Sequence, residues 1–267
     1  MSTKEMKIEY VLMNPSDNYT ILVLTDVKVD DYEIIAKNFL SNEPIAEQVG
    51  FLTFENDADI SIRMAGGEFC GNATMCAAVY YCIKNDIIKK SVNVKFFGLD
   101  KLINVKVEKV ESDKWEGTVE MPKAKEIREV KFGDKEILPV VFLDSIAHVI
   151  VERSLDKDFT KETIEMKIKE WCKYLNMPAL GVMDYDMEKS ELTPFVYVEK
   201  IDTLYWENSC ASGTAAIAYY LDSKSDKLVN IKVKQAGGKY LEAFTSSDKK
   251  LYLKGEVQLV HYKTFTI

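Results

Sequence analysis

The feature that most constrains the fold of this chain is a pair of similar segments, 140 residues apart. The segment at 70–80, CGNATMCAAVY, aligns without a gap with the segment at 210–220, CASGTAAIAYY, and four of the eleven positions are identical. Each segment begins with a cysteine and continues as an apolar stretch with helical periodicity. The pair predicts a duplicated half, in which Cys70 and Cys210 each stand at the amino end of a buried helix. The alternative is a chance similarity between two alanine-rich helices.

Length and composition agree with two halves. The chain has 267 residues, of which 47% are hydrophobic and 29% are charged. Domains of about 100 to 150 residues are the most common, so a two-domain protein is expected. The proportions are those of a globular protein, and they exclude collagen-like and wholly disordered chains.

Charge and cysteine content restrict the partners and the compartment. The formal net charge of -8 argues against a partner bound through phosphate neutralisation, so no nucleic-acid partner is expected. No apolar stretch approaches the roughly 18 residues that span a bilayer, and the first residues lack a secretion signal, so we expect a cytoplasmic protein without a membrane partner. The five cysteines are then expected to be reduced thiols.

Local patterns predict a chain of many short strands with a few helices. Runs of β-branched and aromatic residues predict the strands. Helical periodicity predicts helices at residues 31–40, 71–84, 160–175 and 211–221. The polar segment at 122–129 is the best boundary, which divides the chain into an N-terminal half, 1–121, with Cys70 and a C-terminal half, 122–257, with Cys210.

A cysteine at the amino end of a helix is placed for acid–base chemistry. The positive end of the helix dipole favours thiolate over thiol, and the unpaired backbone N–H groups bind carboxylates. Two such helix ends converging on one amino acid would hold its α-carbon between two sulfurs. One sulfur would remove the α-proton and the other would return a proton on the opposite face, which is racemisation or epimerisation by two bases.

Motifs around both cysteines resemble the diaminopimelate epimerase and proline racemase superfamily, whose members use two facing cysteines and no pyridoxal phosphate. The resemblance is carried by GEFCGNA at 67–73 and ENSCASGT at 207–214. It extends to NPSDNYT at 14–20, EQVG at 47–50 and QAGG at 235–238. The motifs therefore cover almost the whole chain.

This sequence departs from the diaminopimelate epimerase pattern at the residues that bind the end of the substrate far from the reacting carbon. Several asparagines and an arginine that hold this end in those epimerases are replaced here, as in the stretch WENSC at 206–210. A site without these partners would not compensate a distal carboxylate and ammonium for lost water, so diaminopimelate is disfavoured. The remaining motifs are similar to those of the cofactor-independent histidine racemases associated with staphylopine-type metallophore synthesis.

The resemblance implies an α+β fold of two pseudo-symmetric domains, each a curved, mostly antiparallel sheet around a central helix. It also implies that the C-terminal strand, 258–267, returns to the first half, that the protein is a homodimer, and that no cofactor is needed. The implied acid–base pair is Cys70 and Cys210. The implied substrate contacts are side chains for the α-ammonium (Asn18, Gln48, Glu207), backbone N–H groups for the carboxylate (Gly71, Asn72, Ala211, Ser212), and Glu47 for an imidazole ring.

Other interpretations remain open at this point. Within enzymes, the substrate would be another amino acid, such as diaminopimelate. In other classes, the chain would be a thiol redox protein or an amino-acid-binding protein. Cys76 and Cys82 are expected in the core because they lie on the apolar body of the first central helix, and Cys172 is expected there beside Trp171. A metal site is not expected, since the spacing of Cys70, Cys76 and Cys82 is not a usual ligand pattern and the chain has only two histidines. His148 is expected to be structural.

Overall fold

The computed structural model describes residues 6–54, 57–134, 136–153, 160–225 and 227–266. The four α-helices in this part of the chain are those predicted, with each end within two residues of the expected position. They are α1 (Tyr32–Asn42), α2 (Gly71–Lys84), α3 (Lys161–Leu175) and α4 (Ala211–Ser223).

Sixteen strands in the described part of the chain form one continuous sheet. Those of the first half are β1 (Lys7–Pro15), β2 (Thr20–Val23), β3 (Gln48–Thr53), β4 (Ile60–Met64), β5 (Lys89–Phe96), β6 (Ile103–Lys109) and β7 (Lys114–Glu120). The others are β8 (Glu126–Phe132), β9 (Glu136–Phe142), β10 (Ala147–Glu152), β11 (Ala179–Asp186), β12 (Glu191–Val198), β13 (Thr203–Trp206), β14 (Asn230–Gln235), β15 (Tyr240–Thr245) and β16 (Leu251–Thr266).

The first half is a closed ring of strands around α2. Strands β1 to β7 pair in sequence order, and β16 closes the ring because it pairs with both β7 and β1. Helix α2 contacts every strand of the ring, and its residues facing the strands are mainly small, such as Ala73, Ala77 and Ala78. Small side chains let a helix fit inside a ring of this size at the packing density of a protein core.

The second half repeats the same order of connections around α4, although its outer strands, β8 and β16, are not paired in the described residues. In each half, a parallel pair is connected through an outer helix, β2–β3 through α1 and β10–β11 through α3. A second parallel pair is connected through the central helix, β4–β5 through α2 and β12–β14 through α4. The other pairings are antiparallel. The predicted α+β fold of two pseudo-symmetric halves is confirmed.

Strand β16 belongs to the sheets of both halves. Its first residues pair with β15, its middle with β7, and its last ten, from Val257 to Thr266, with β1. The continuous hydrogen bonding joins the two halves along this strand. The division into residues 1–121 and 122–257 stays a prediction.

Three of the cysteines lie in the core, as expected. Cys76 and Cys82, both on α2, are fully buried, and Cys172 lies on the buried face of α3. All five cysteines are unpaired. No helix in the described residues is long and apolar enough to cross a membrane.

Strand β16 offers a test of the ring. Leu253 is fully buried among the residues around α2, whereas the neighbouring Lys254 forms an ion pair with Glu116 on the outer face. We expect Leu253→Ala to lower the free energy of unfolding by about 2–5 kcal/mol, because it leaves a cavity in the core. Lys254→Ala should lower it by about 1 kcal/mol or less. Urea denaturation measures both, and equal losses would contradict the placement of β16.

Candidate active site

Cys70 and Cys210 occupy matching positions in the two halves. Cys70 is the N-cap of α2, with φ -128° and ψ 110°, and Cys210 is the N-cap of α4, with φ -130° and ψ 109°. Each sulfur accepts a hydrogen bond from the backbone N–H three residues later, at 3.3 Å from Ala73 and 3.4 Å from Gly213. A thiol thus takes the place of the usual serine or threonine oxygen at a helix start.

A threonine after each cysteine locks this geometry. The hydroxyl groups of Thr74 and Thr214 donate to the carbonyl oxygens of Cys70 and Cys210, at 2.7 and 2.8 Å. The backbone N–H groups of the same threonines donate to the same carbonyls, at 3.0 Å each. These are the first helical hydrogen bonds, and the residue before each threonine donates to the sulfur, so the N–H groups of the first two residues of each helix have no acceptor within the helix.

The two helix starts lie against each other. A Cβ atom on Gly71 would be 2.9 Å from the Cβ atom of Ala211, so a larger residue at position 71 would separate the helices. The side-chain amide of Asn72 donates to the carbonyl oxygen of Ser209 at 3.1 Å, which connects the two halves. The N–H groups of both helix starts therefore belong to one region.

Both cysteines open onto one cavity between the halves. One part of the wall is polar and holds both helix starts. The rest is apolar and includes Phe69, Ile146, Val196, Val198 and Ile201.

A hydrogen-bond chain connects Cys70 to the opposite half. The Cys70 thiol donates to Oε1 of Gln48 at 2.6 Å. The Gln48 amide nitrogen donates to Oδ1 of Asn18 at 2.8 Å and to Oε1 of Glu207 at 3.1 Å. Gln48 is therefore held between the two halves, with its orientation set by Asn18 and Glu207.

Asn18 lies behind the cavity rather than on its wall. It is fully buried in the turn between β1 and β2, where Ser16 and Asp17 have positive φ values of 53° and 71°. Its amide nitrogen donates to Oε2 of Glu47 at 2.7 Å. Since its oxygen accepts from Gln48, both ends of the Asn18 amide are engaged by protein groups.

Glu47 does line the cavity, but its carboxylate already has three donors. Oε2 accepts from Asn18, and Oε1 accepts from the backbone and side-chain nitrogens of Asn208, at 3.3 and 2.7 Å. Asn208 is in turn fixed by its carbonyl oxygen, which accepts from the N–H of Gly237. Glu47 is thus the centre of a contact between the first and second halves.

Buried acids and thiols dominate the electrostatics of the cavity. Burial raises the pKa of Glu47 and of Glu68 to about 7, and that of Glu207 to about 8, since desolvation disfavours the ionised form. Burial also raises the pKa of both Cys70 and Cys210 above the ordinary range of a thiol. Near neutral pH, these groups therefore retain protons that exposed counterparts would lose more readily.

Eight of the ten residues predicted for the site line this cavity: Glu47, Gln48, Cys70, Asn72, Glu207, Cys210, Ala211 and Ser212. Gly71 is at the first position of α2, beside Cys70. Asn18 is the exception, since it contacts the cavity residues from behind. His148, expected to be structural, is fully buried, and burial lowers its pKa to about 3.

Three residues of the site were not predicted. The side-chain oxygen of Gln235 accepts from the N–H of Cys210 at 3.1 Å, while its nitrogen donates to Thr214 at 3.0 Å. Asn208 holds Glu47, and Glu68 forms part of the wall. Asn208 and Glu68 stand within two residues of a cysteine, and Gln235 begins the QAGG motif, so each lay within a recognised motif without a distinguishing signal of its own.

The arrangement is suited to proton exchange beside a carboxylate. Two thiols from separate halves reach one cavity, together with the unpaired N–H groups of two helix starts. Such preorganised donors stabilise the charge that develops on a carboxylate when the neighbouring carbon loses a proton.

Comparison of the sequence with known proteins gives one consistent result. A family model described as the N-terminal domain of histidine racemase CntK matches residues 7–263. The histidine racemase of Fusobacterium nucleatum subsp. nucleatum is 32% identical over an alignment of 271 positions, which covers 97% of each chain. The histidine racemase of Staphylococcus aureus is 29% identical over 244 residues, which cover 88% of this chain and 87% of the relative.

Solved structures share the fold at low sequence identity. A hydroxyproline epimerase from Agrobacterium vitis with bound trans-4-hydroxy-L-proline has a TM-score of 0.71 at 10% identity, with 98% of this chain and 93% of that chain covered. A PhzF-family phenazine biosynthesis protein from Enterococcus faecalis has a TM-score of 0.64 at 11% identity, with 98% and 100% covered. These neighbours confirm the fold predicted from the two cysteine motifs.

Replacing Glu207 by glutamine tests the electrostatics of the cavity. Its raised pKa means that the folded protein binds this proton more tightly than the unfolded chain does. The resulting stabilisation is complete below the unfolded value of 4.5 and is lost as the pH rises through about 8. Glutamine does not titrate, and its carbonyl oxygen can still accept from Gln48. We therefore expect a smaller fall in the free energy of unfolding between about pH 5 and about pH 9 than in the wild type.

Urea denaturation at several pH values measures this difference. Glu170→Gln, at an exposed position of α3, serves as the control and should keep the pH dependence of the wild type. A Glu207→Gln variant with that same dependence would contradict the protonated state of Glu207.

Proposed function

Because this chain belongs to the histidine racemase CntK family, we propose that it interconverts L-histidine and D-histidine by proton exchange at the α-carbon, with Cys70 and Cys210 as the two bases. The resemblance that the motifs indicated is confirmed by this membership. The observation that carries the mechanism is the matched N-cap geometry of the two cysteines at one cavity.

The substrate carboxylate binds at the two helix starts. The backbone N–H groups of Gly71, Asn72, Ala211 and Ser212 precede the first helical hydrogen bonds and point out of the helix ends. Their partial positive charge stabilises the carboxylate, and it stabilises the enediolate-like transition state more strongly. The close contact between Gly71 and Ala211 lets both helices act on the same group.

The α-ammonium group binds between Gln48 and Glu207. Gln48 Oε1 and Glu207 Oε1 are acceptors on the cavity wall, and Gln48 connects them through its amide nitrogen. Asn18 holds Gln48 in place from behind, which makes it a positioning residue. The positive charge of the ammonium group also favours ionised forms of Glu207 and of the nearby thiols, and so opposes the effect of burial on their pKa.

The reaction moves one proton to the protein and one proton back. In the reactive complex, one cysteine is a thiolate and the other is a thiol. The thiolate accepts the α-proton, and the thiol donates its proton to the other face of the same carbon, so that the configuration is inverted. At the end the protonation states of the two cysteines have exchanged, and the next cycle starts from the opposite enantiomer or after a proton exchange with solvent.

Removing either thiol tests the two-base assignment. We expect Cys70→Ala and Cys210→Ala each to lower kcat for racemisation by at least about a thousandfold, since each removes an acid–base group that the mechanism needs in both directions. Cys172→Ala and Cys76→Ala, which change thiols away from the cavity wall, should retain racemisation. The measurement is the change in optical rotation of L-histidine. Near-normal turnover by either of the first two variants would refute the assignment.

Solvent isotope incorporation separates two bases from one. In heavy water, early D-histidine product should carry deuterium at the α-carbon, because its new hydrogen comes from the second thiol, which has exchanged with solvent. The remaining L-histidine should stay protiated, because reversal of the first step returns the original proton from the first thiol. Proton NMR after separation of the enantiomers measures both. Equal deuteration of both enantiomers from the start would favour a single base.

The choice of substrate has its own test. Incubation with single L-amino acids should give the fastest exchange with histidine. Turnover of diaminopimelate without turnover of histidine would reject histidine as the substrate. The protein would then be a cofactor-independent epimerase of diaminopimelate. Binding of histidine without exchange at its α-carbon would indicate an amino-acid-binding protein.

We also propose that the enzyme is a cytoplasmic homodimer. The five unpaired cysteines support a reducing compartment. The dimer is supported by the superfamily resemblance. Light scattering should give a mass of twice the 30.5 kDa of one chain, and a mass of 30.5 kDa would reject the dimer.

A further inference from the structure

Glu68 is a buried acid on the cavity wall with no assigned role in the proton exchange. It lies in the loop between β4 and α2, two residues before Cys70. Glu68 is only 9% exposed, and its Oε2 atom has no hydrogen-bond partner in the described part of the chain. Burial raises the pKa of this carboxyl group to about 7. An unsatisfied carboxylate is unfavourable at such a place unless a ligand donates to it.

The loop before α2 is shaped to hold this carboxyl group. A Cβ atom on Gly66 would lie 2.3 Å from Oε2 of Glu68 and 2.4 Å from a methyl carbon of Val198. The space that a side chain at position 66 would need is therefore taken by the carboxyl group, which lies between Gly66 and the apolar wall. The absence of a side chain at Gly66 is what permits this position.

The other acids of the cavity wall already have partners or a place in the proposed mechanism. Both oxygens of Glu47 accept hydrogen bonds from Asn18 and Asn208. Glu207 accepts from Gln48 through Oε1 and lies beside Cys210, and its unpartnered Oε2 atom is left for the α-ammonium group proposed there. Glu68 is the remaining acid on the wall, and its Oε2 atom lies beside Gly66 together with a methyl group of Val198, from the apolar part of the wall.

We infer that Glu68 is a specificity-determining residue that accepts an N–H of the substrate's imidazole ring. The inference rests on the proposed function, since it names the contact that selects histidine among amino acids. When the substrate's carboxylate lies at the helix starts and its ammonium group lies between Gln48 and Glu207, its side chain lies against the apolar wall. An imidazole there packs its ring against Val198 and gives Oε2 of Glu68 the donor that it lacks. A side chain without an N–H leaves that oxygen unpaired and binds less well.

Two amino acids of similar size separate recognition of the ring from recognition of the α-carbon groups. L-Histidine donates an N–H from its ring, whereas L-2-thienylalanine has a five-membered ring of similar shape with no N–H. We expect Glu68→Leu to lower kcat/KM for α-deuteration of histidine at least tenfold, mainly through a higher KM. The inhibition constant of thienylalanine against histidine exchange should change less than twofold. Glu68→Gln keeps an acceptor oxygen, so its kcat/KM for histidine should lie between those of the wild type and of Glu68→Leu.

A second variant tests the same contact without changing the acid. Gly66→Ala displaces the Glu68 carboxyl group, so it should also raise KM for histidine. The inhibition constant of thienylalanine should stay nearly unchanged. Glu170→Leu, at an exposed position of α3, is the control and should change neither kcat/KM for histidine nor the inhibition constant of thienylalanine. Circular dichroism checks that each variant is folded.

Equal losses for both amino acids would overturn the inference, because they would place Glu68 at the α-carbon groups or in a structural role. An unchanged KM for histidine in Glu68→Leu would overturn it as well. Failure of the proposed function is distinguishable, since the wild type would then exchange no α-proton of histidine.

Discussion

The contact between the starts of α2 and α4 fixes the geometry of the cavity. Both helices must begin at the same place for their N–H groups to act on one carboxylate, and Gly71 against Ala211 allows that approach. The small residues that follow let each helix lie inside its curved sheet. Strand β16 then hydrogen-bonds to both halves, so the relative position of the helices does not depend on the cavity alone.

The same enclosure that favours the chemistry makes the unliganded site electrostatically unfavourable. Three carboxyl groups and two thiols are withdrawn from water, and burial raises the pKa of each. An amino acid brings a positive charge and several donors to these groups. The binding of substrate and the ionisation of a thiol are therefore coupled, because the ammonium charge relieves part of the effect that keeps the thiols protonated.

The helices and the paired cysteines were predictable because their signals are local. A cysteine before an apolar stretch, repeated 140 residues later, indicates a helix start in each half. The four helices, the buried positions of Cys76 and Cys172, and the gathering of most of the site residues follow from such patterns. Ile164, Ile168 and Trp171, which follow one another at helical spacing along α3, are buried in the core.

The closure of the ring and the individual contacts of the acids were less accessible to sequence reasoning. Pairing between β1 and β16 joins residues about 250 positions apart, and no local pattern gives its register. The place of Asn18 behind the cavity depends on a turn with two positive φ values, and that of Glu68 on the space above Gly66. Both are properties of loop geometry, which residue type alone does not determine.

A crystal structure of the enzyme with L-histidine would show directly whether the two thiols serve as the two bases. We expect the sulfur atoms of Cys70 and Cys210 on opposite faces of the α-carbon, each at about 3.5 Å, with the carboxylate between the two helix starts. A complex in which both sulfurs lie on one face of the α-carbon, or in which either is too distant to reach it, would refute the two-base mechanism.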